Sequence, residues 1–373
     1  MSNLTIPFFG VNKQYNVLRK EILDVTDEVL RTGHVMSGNY TAEFENWLAK
    51  KNGVKFAITC HSGTQALEII ARYYAQDIDN AVVVMPALTF AATANAFITT
   101  GWDIEFVDTD HYGLIDYSQI NYNRDITVVV GVGLYGAELP PPKWITTEHS
   151  TKQMAFSGGN KIFIEDAAQH WLSNNYIRSG QAAAISFDPT KNFANYGNGG
   201  AIVTNDSSLF WFAQEFRDNG KSGNHANPGT NSRMSEVDCA QMMVKSRYLD
   251  SWQQRRKQIA EYWMKRFSEA GVRTLIDKKN FNTHCYHKFV LEVDHRDKLQ
   301  EYLKSRRIET RVHYARPLHE IGVFRQYPGP DILCRASALS RRVLSLPIYP
   351  ELTDLEVEYI IDQVLSFYEQ EHS

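Results

Sequence analysis

The sequence predicts an α/β protein: a mainly parallel seven-stranded sheet with helices on both faces, followed by a smaller C-terminal α+β domain. Three observations carry this. Short β-rich runs recur up to residue 204 with helical patterns or loops between them. Several are continuous apolar runs, the pattern of strands covered on both faces. After about residue 235 the alternation gives way to longer helical patterns. A chain of 373 residues can bury one large and one small core.

The strands are expected at Lys55–Thr59, Val82–Met85, Ile104–Val107, Ile126–Val132, Lys161–Ile164, Ala183–Phe187 and Ala201–Thr204. Alternation with helices implies an α/β layer architecture, whose ligands sit beyond the carboxyl ends of the strands. The division is expected at 1–245 and 246–373. Met234 to Ala270 reads as one long helix, with Val237, Ala240 and Leu249 near helical spacing. Lys288–Val293, a helix over Arg296–Arg306, an extended run through Thr310–Tyr314 and a helical pattern at Asp354–Tyr368 follow. Two loops stand out. Asp218–Ser232 is rich in Gly and Asn, and its length suits a loop that lines or covers a site. Gly136–Asn160 carries Pro140-Pro141-Pro142, which cannot continue a helix, and has no assigned structure.

Composition excludes several classes. Apolar content of 43% and charged content of 22% are those of a globular protein. A net charge of -4 and the lack of a long basic block argue against nucleic-acid binding. The four cysteines (Cys60, Cys239, Cys285, Cys334) lie far apart, unlike a zinc site or a redox dithiol, and fit a reducing cytoplasm. Met1–Gly10 lacks the pattern of a secretion signal, and no stretch approaches the roughly 18 apolar residues of a membrane span. The expectation is a soluble cytoplasmic protein without a bound metal.

Lys191 is the most informative residue. It closes the run Ser186-Phe187-Asp188-Pro189-Thr190-Lys191, directly before the glycine-rich Tyr196-Gly197-Asn198-Gly199-Gly200. Upstream, the apolar run from Lys161 ends in Glu165-Asp166-Ala167-Ala168-Gln169. An acid at the mouth of one strand and a lysine just past the next suit pyridoxal phosphate. That cofactor needs an amine for its aldehyde and a carboxylate to keep its ring nitrogen protonated. Either residue alone is ordinary, as a surface lysine or a helix-capping aspartate. Ser62-Gly63-Thr64 lies between a strand and the helical pattern Ala66–Tyr74, so free amides and two hydroxyls there suit an anion; a simple cap is the plainer reading. Ser186 is a phosphate donor or a routine strand-end serine. Phe90, just past the second strand, is a ring-stacking residue or a core aromatic.

These segments, together with Leu88-Thr89-Phe90-Ala91-Ala92-Thr93-Ala94-Asn95 and Gly229-Thr230-Asn231-Ser232-Arg233-Met234, occur in an order that resembles the DegT/StrS family of nucleotide-sugar aminotransferases. Ile6-Pro7-Phe8, His313-Tyr314, Pro317-Leu318-His319 and Ser340–Pro347 extend the resemblance over essentially the whole chain. It implies the aspartate-aminotransferase-like fold, type I of the pyridoxal-phosphate-dependent transferases. It implies pyridoxal 5′-phosphate bound covalently by Lys191, which later shuttles a proton, and paired with Asp166. Gln169 would reach the ring hydroxyl, Phe90 would stack on the ring, and Gly63, Thr64 and Ser186 would contact the phosphate. Asn231 would reach the phosphate of the neighbouring subunit, making a homodimer with shared active sites. His313, Tyr314 and His319 match substrate contacts. The implied reaction carries the amine of L-glutamate, leaving 2-oxoglutarate, to a nucleotide-linked keto sugar.

Two departures bear on substrate choice: the segment between Gly136 and Asp166 is longer than the family pattern, and Asn198 stands where an acid is frequent. Two other functions compete. A sugar dehydratase of the same fold has histidine in place of the lysine, so Lys191 argues against it. A regulatory or sensing relative without turnover has no need of both Lys191 and Asp166.

Overall fold

The computed structural model describes residues 5–76, 82–120, 126–146, 155–156, 161–173, 180–327, 329 and 333–371. Its elements run α1 (Val11–Thr32), α2 (Asn39–Asn52), β1 (Phe56–Cys60), α3 (Gly63–Ala75), β2 (Val82–Pro86), α4 (Ala91–Ile98), β3 (Asp103–Val107) and β4 (Ile126–Val132). A short pair, β5 (Ile145–Thr146) and β6 (Ala155–Phe156), precedes β7 (Ile162–Asp166), β8 (Ala182–Ser186), β9 (Gly200–Thr204) and α5 (Ser207–Phe216). Then come α6 (Glu236–Ser246), α7 (Leu249–Glu269), β10 (Arg273–Thr274), β11 (Phe289–Glu292), α8 (Arg296–Ser305), α9 (Cys334–Arg342), β12 (Val343–Leu346) and α10 (Asp354–Glu371). Among the described residues no helix is long and apolar enough to cross a membrane.

All seven expected strands lie in one sheet, in the order β1-β9-β8-β7-β4-β2-β3. Only β9 runs against the others, antiparallel to both β1 and β8. Side chains alternate across the strands, so neighbours in sequence enter opposite cores. Val128, Val130 and Ile164 pack with Leu67, Ile70 and Phe97 on one face. Val129 and Phe163 face the other side with Val107 and Leu139. There, towards β1, Ala183 and Ile185 join Phe44, Trp171 and Phe187. Continuous apolar runs thus mean double-sided burial, as expected.

The carboxyl ends of β1, β7 and β8 fall on one edge, and the antiparallel β8–β9 pair sharpens this. The chain leaves β8 at Ser186 and re-enters the sheet at Gly200, its register partner. Residues 187–199 therefore stand on that edge, held by Phe187 N–H to Gly199 O at 2.8 Å and Asn195 N–H to Phe187 O at 2.7 Å. Within this connection Asp188 Oδ1 accepts from the Thr190 amide at 2.9 Å, and the Lys191 amide donates to Asp188 O at 2.9 Å. A local turn fixes where Lys191 begins.

The C-terminal part is a three-stranded antiparallel sheet, β10-β11-β12, with α7, α8 and α10 packed around Trp263, Phe289, Leu291, Leu344 and Ile360. Ile6 joins this core and bridges to Ile308. The opposite face of the small sheet supplies Val290 and Val343 to the large core. Met234–Ala270 is not one helix. Ser235 caps α6 by accepting from the Asp238 amide, and the chain turns at Arg247–Tyr248 before α7. The split follows from the cores: α6 buries Ala240 and Val244 against Leu18 and Ile22 of α1, while α7 buries Ile259, Trp263 and Phe267 in the C-terminal core. Thr310–Tyr314 forms no strand, only the bridge from Arg311 to Ser345.

Candidate active site

A cavity of about 370 Å³ opens at the carboxyl edge of the sheet, lined by Ser62, Gly63, Thr64, Phe90, Asp166, Gln169, Ser186 and Lys191 among others. Its far side carries Phe9, His287, Lys288, His313 and Tyr314. Of the eight residues expected at the cofactor or as catalytic groups the cavity holds seven, all but Asn231, and of the three substrate candidates it holds His313 and Tyr314 but not His319.

At one end lies the first turn of α3. Ser62 caps it, accepting from Gln65 N–H at 3.1 Å, so the plainer reading of that serine holds. The amides of Gly63 and Thr64 precede the first intrahelical bonds and stay available for an anion. Close approach makes glycine necessary here: a Cβ on Gly63 would lie 2.7 Å from Ser186 Cβ, and one on Gly200 would lie 2.3 Å from Ser62 C. The helix start and the end of β8 are thereby brought into contact, adding the Ser186 hydroxyl to the same end.

Asp166 ends β7, buried to 5% exposure. Its Oδ2 accepts from Thr93 Oγ1 at 2.7 Å and its Oδ1 from the Ala168 amide at 3.2 Å. Thr89, 2.9 Å from the Thr93 hydroxyl, completes the chain. Gln169 is also held in place. Tyr135 N–H donates to its Oε1 at 2.9 Å, which leaves Nε2 as the donor, 3.3 Å from the Tyr314 hydroxyl. Phe90 is exposed at 55%, with its ring 5.9 Å from that of Tyr314. It is no core aromatic; it sits where a flat ligand would cover it.

Lys191 is half-buried between the two sides. Burial pulls its ammonium pKa below the ordinary value, while Asp166 and Asp188 act in the opposite direction. His313 donates or accepts through Nδ1 with Ser345 Oγ at 2.8 Å. Burial, and then Lys288, Lys191 and Arg311, pull the His313 pKa down to about 3, so it is neutral at physiological pH. The Tyr314 hydroxyl is pushed up by burial and by Asp166.

Asn231 is exposed and bridges to Asp218, outside the cavity lining of its own chain. None of Asp218–Ser232 lines that cavity. His319 lies outside it too, with Nε2 3.8 Å from Glu320. Asn198 and Gly199 do line it. Of Gly136–Asn160, residues 147–154 and 157–160 lie outside the described residues. The sequence reading missed Phe9, His287 and Lys288. The available signal was a pair of basic residues, His287-Lys288, directly before an apolar strand, where a turn would more often be solvent-exposed.

The sequence matches the DegT/DnrJ/EryC1/StrS aminotransferase family over residues 16–365. The chain belongs to that family. It is similar to a protein named "Pleiotropic regulatory protein" of Geobacillus stearothermophilus, 30% identical over 98% of this chain and 99% of the relative. It is also 30% identical, over 96% of itself and 98% of the relative, to dTDP-3-amino-3,6-dideoxy-alpha-D-galactopyranose transaminase of Aneurinibacillus thermoaerophilus. Among solved structures, that of S. venezuelae DesV with a ketimine intermediate superposes with a TM-score of 0.87 at 28% identity, covering 98% of this chain and 99% of that one. This member of the family is thus a pyridoxal-phosphate-dependent aminotransferase with the expected fold. The cavity suits the cofactor: an amine, a buried carboxylate, an anion-binding helix start and an exposed aromatic face it from different sides.

Proposed function

We propose that this aminotransferase takes its amino group from L-glutamate, releases 2-oxoglutarate, and aminates the ketone of a nucleotide-linked deoxysugar. Transamination of a nucleotide-linked sugar is the activity itself; the donor, the roles of the residues and the assembly are the proposal. One observation carries the reading: Lys191 and Asp166, from adjoining strand ends, line the same cavity.

Bound pyridoxal 5′-phosphate supplies an aldehyde that bonds amines and a ring that accepts electrons from a substrate carbanion. Lys191 would hold that aldehyde, then move a proton to and from the reacting carbon. A lysine whose pKa is lowered by burial is a better base near neutral pH than one in water. Asp166, oriented by Thr93 and Ala168, would keep the ring nitrogen protonated, an effect of about 1.4–4 kcal/mol. Gly63, Thr64 and Ser186 would hold the phosphate, Gln169 Nε2 would donate to the ring hydroxyl, and Phe90 would cover the ring. His313 and Tyr314 would meet the sugar. Asn231, exposed and off its own cavity, suits a contact to the partner's phosphate in a homodimer. The division at 1–245 and 246–373 and a cytoplasmic setting belong to the same proposal.

The test is borohydride reduction of the holoprotein followed by peptide mapping. The cofactor should be fixed to the peptide containing Lys191, and Lys191→Ala should prevent it and abolish turnover. Fixation at any other lysine overturns the assignment. The regulatory name of one relative keeps a second reading open: a pure sensor would stay yellow with L-glutamate, whereas the transaminase would bleach.

A further inference from the structure

We propose that Lys288 is the receptor for a substrate carboxylate in this cavity, first of all the carboxylate on the reacting carbon of the amino-acid donor. The inference rests on the transaminase reading. Lys288 stands directly before β11, and it is only 5% exposed. Its Nζ lies 4.9 Å from the ring of Phe8 and 5.0 Å from the ring of Phe9. Its amide donates to Tyr135 O at 2.9 Å, but among the described residues its Nζ has neither a carboxylate partner nor a hydrogen bond. Two aromatic faces hold a cation in place without neutralising it. A buried amine without an anion beside it is held towards its neutral form, and a carboxylate brought in from outside would favour its charged form.

The surroundings point the same way. Of the residues lining the cavity, only Lys191 and Lys288 carry ammonium groups, and Lys191 is committed to the reaction. The nearby histidines are both driven towards the neutral form: His287 by burial, Lys288 and Lys191, and His313 by burial and the same two lysines. Burial and then Lys191, Arg256 and Arg311 act against the charge on Lys288, and Asp188 alone opposes them. Asp166 already accepts two hydrogen bonds. Asp188, the other carboxylate of the lining, is likewise engaged, by the Thr190 amide at 2.9 Å and the Thr190 hydroxyl at 2.6 Å, so neither acid bonds Lys288 and a substrate carboxylate would supply that contact.

The cofactor phosphate is the wrong occupant. Lys288 also lines a small cavity of about 30 Å³, together with Lys191, Phe8, Phe9 and Arg256. Gly63, Thr64 and Ser186, which suit the phosphate, take no part in that second cavity. Lys288 thus shares with Lys191 a second cavity that the anion-binding helix start does not reach. Every amino-acid donor carries a carboxylate on the carbon that Lys191 must deprotonate, so a cation beside Lys191 meets a requirement of the reaction. A uronic-acid carboxylate on the sugar is the other source of the same chemistry.

The experiment uses the holoprotein, Lys288→Met and Lys288→Arg, each checked for the visible cofactor band and for its melting temperature. Calorimetry measures glutarate, an unreactive dicarboxylate, and compares UDP-glucuronate with UDP-glucose; a spectral titration follows bleaching by L-glutamate. Losing one charge-assisted contact should weaken carboxylate binding about tenfold or more in Lys288→Met, with Lys288→Arg recovering most of it and the band unchanged. A loss confined to glutarate and L-glutamate assigns the donor; a loss confined to the preference for UDP-glucuronate assigns the sugar. A smaller loss for both probes overturns the proposal, as does an unmodified holoprotein that binds neither. If Lys288→Met does not fold, failure of Lys288→Arg to bind either probe while keeping its cofactor overturns it equally. Should the unmodified protein form no cofactor band, the transaminase reading fails instead.

Discussion

Asp166 and Ser186 end neighbouring hydrogen-bonded strands, and Lys191 follows on the connection that leaves one of them. Phe9, Lys288, His313 and Tyr314, on the opposite wall, come from separate stretches that the C-terminal sheet brings in. The first wall is held by ladder hydrogen bonds and by a turn within a few residues. The second is held by docking: Tyr135 donates its hydroxyl to His313 O, His313 meets Ser345, and Val290 and Val343 enter the large core. The strand-end wall is thus rigid and local, suited to a cofactor that never changes. Side chains on the docked wall take no part in the ladder, so we place substrate choice there.

That contrast can be broken experimentally. Asp166→Asn keeps the shape of the strand-end wall and removes its charge, so kcat/KM should fall about ten- to a thousandfold, equivalent to ~1.4–4 kcal/mol, with little change in melting temperature. Kinetics close to those of the unmodified enzyme would mean that the buried carboxylate is structural. Asn231→Asp should weaken cofactor retention by about tenfold, because a new negative charge would stand beside the partner's phosphate. Dialysis against dilute cofactor measures this, and unchanged retention would remove Asn231 from the shared site. Tyr314→Phe, on the docked wall, loses only the contact with Gln169 Nε2. It should raise KM for the sugar by about two- to tenfold with kcat nearly intact. A larger effect on kcat than that of Asp166→Asn would reverse the assignment of the two walls.

Legibility in the sequence follows the same division. Ile126–Val132 was readable to the residue, because a Val-rich run buried on both faces has no competing helical period. Lys191 and Asp166 were readable because each lies within a few residues of a strand end, and strand direction puts both on one edge. The break at Arg247–Tyr248 was not readable, since the apolar spacing of α6 and α7 continues across it and only their different cores separate them. Nor was Lys288. A basic residue before a strand is normally solvated, and what buries this one is the arrival of Phe8 and Phe9 from the other end of the chain.

Taken alone, then, the amino-acid order determined the strands, the edge on which their ends gather and the lysine–aspartate pair, because each depends on periodicity and short-range connection. The tertiary structure decided which distant side chains close the cavity, that Gln169 turns Nε2 towards Tyr314, and that His319 stays outside. Those outcomes depend on packing between segments far apart in sequence, where no local pattern carries the information.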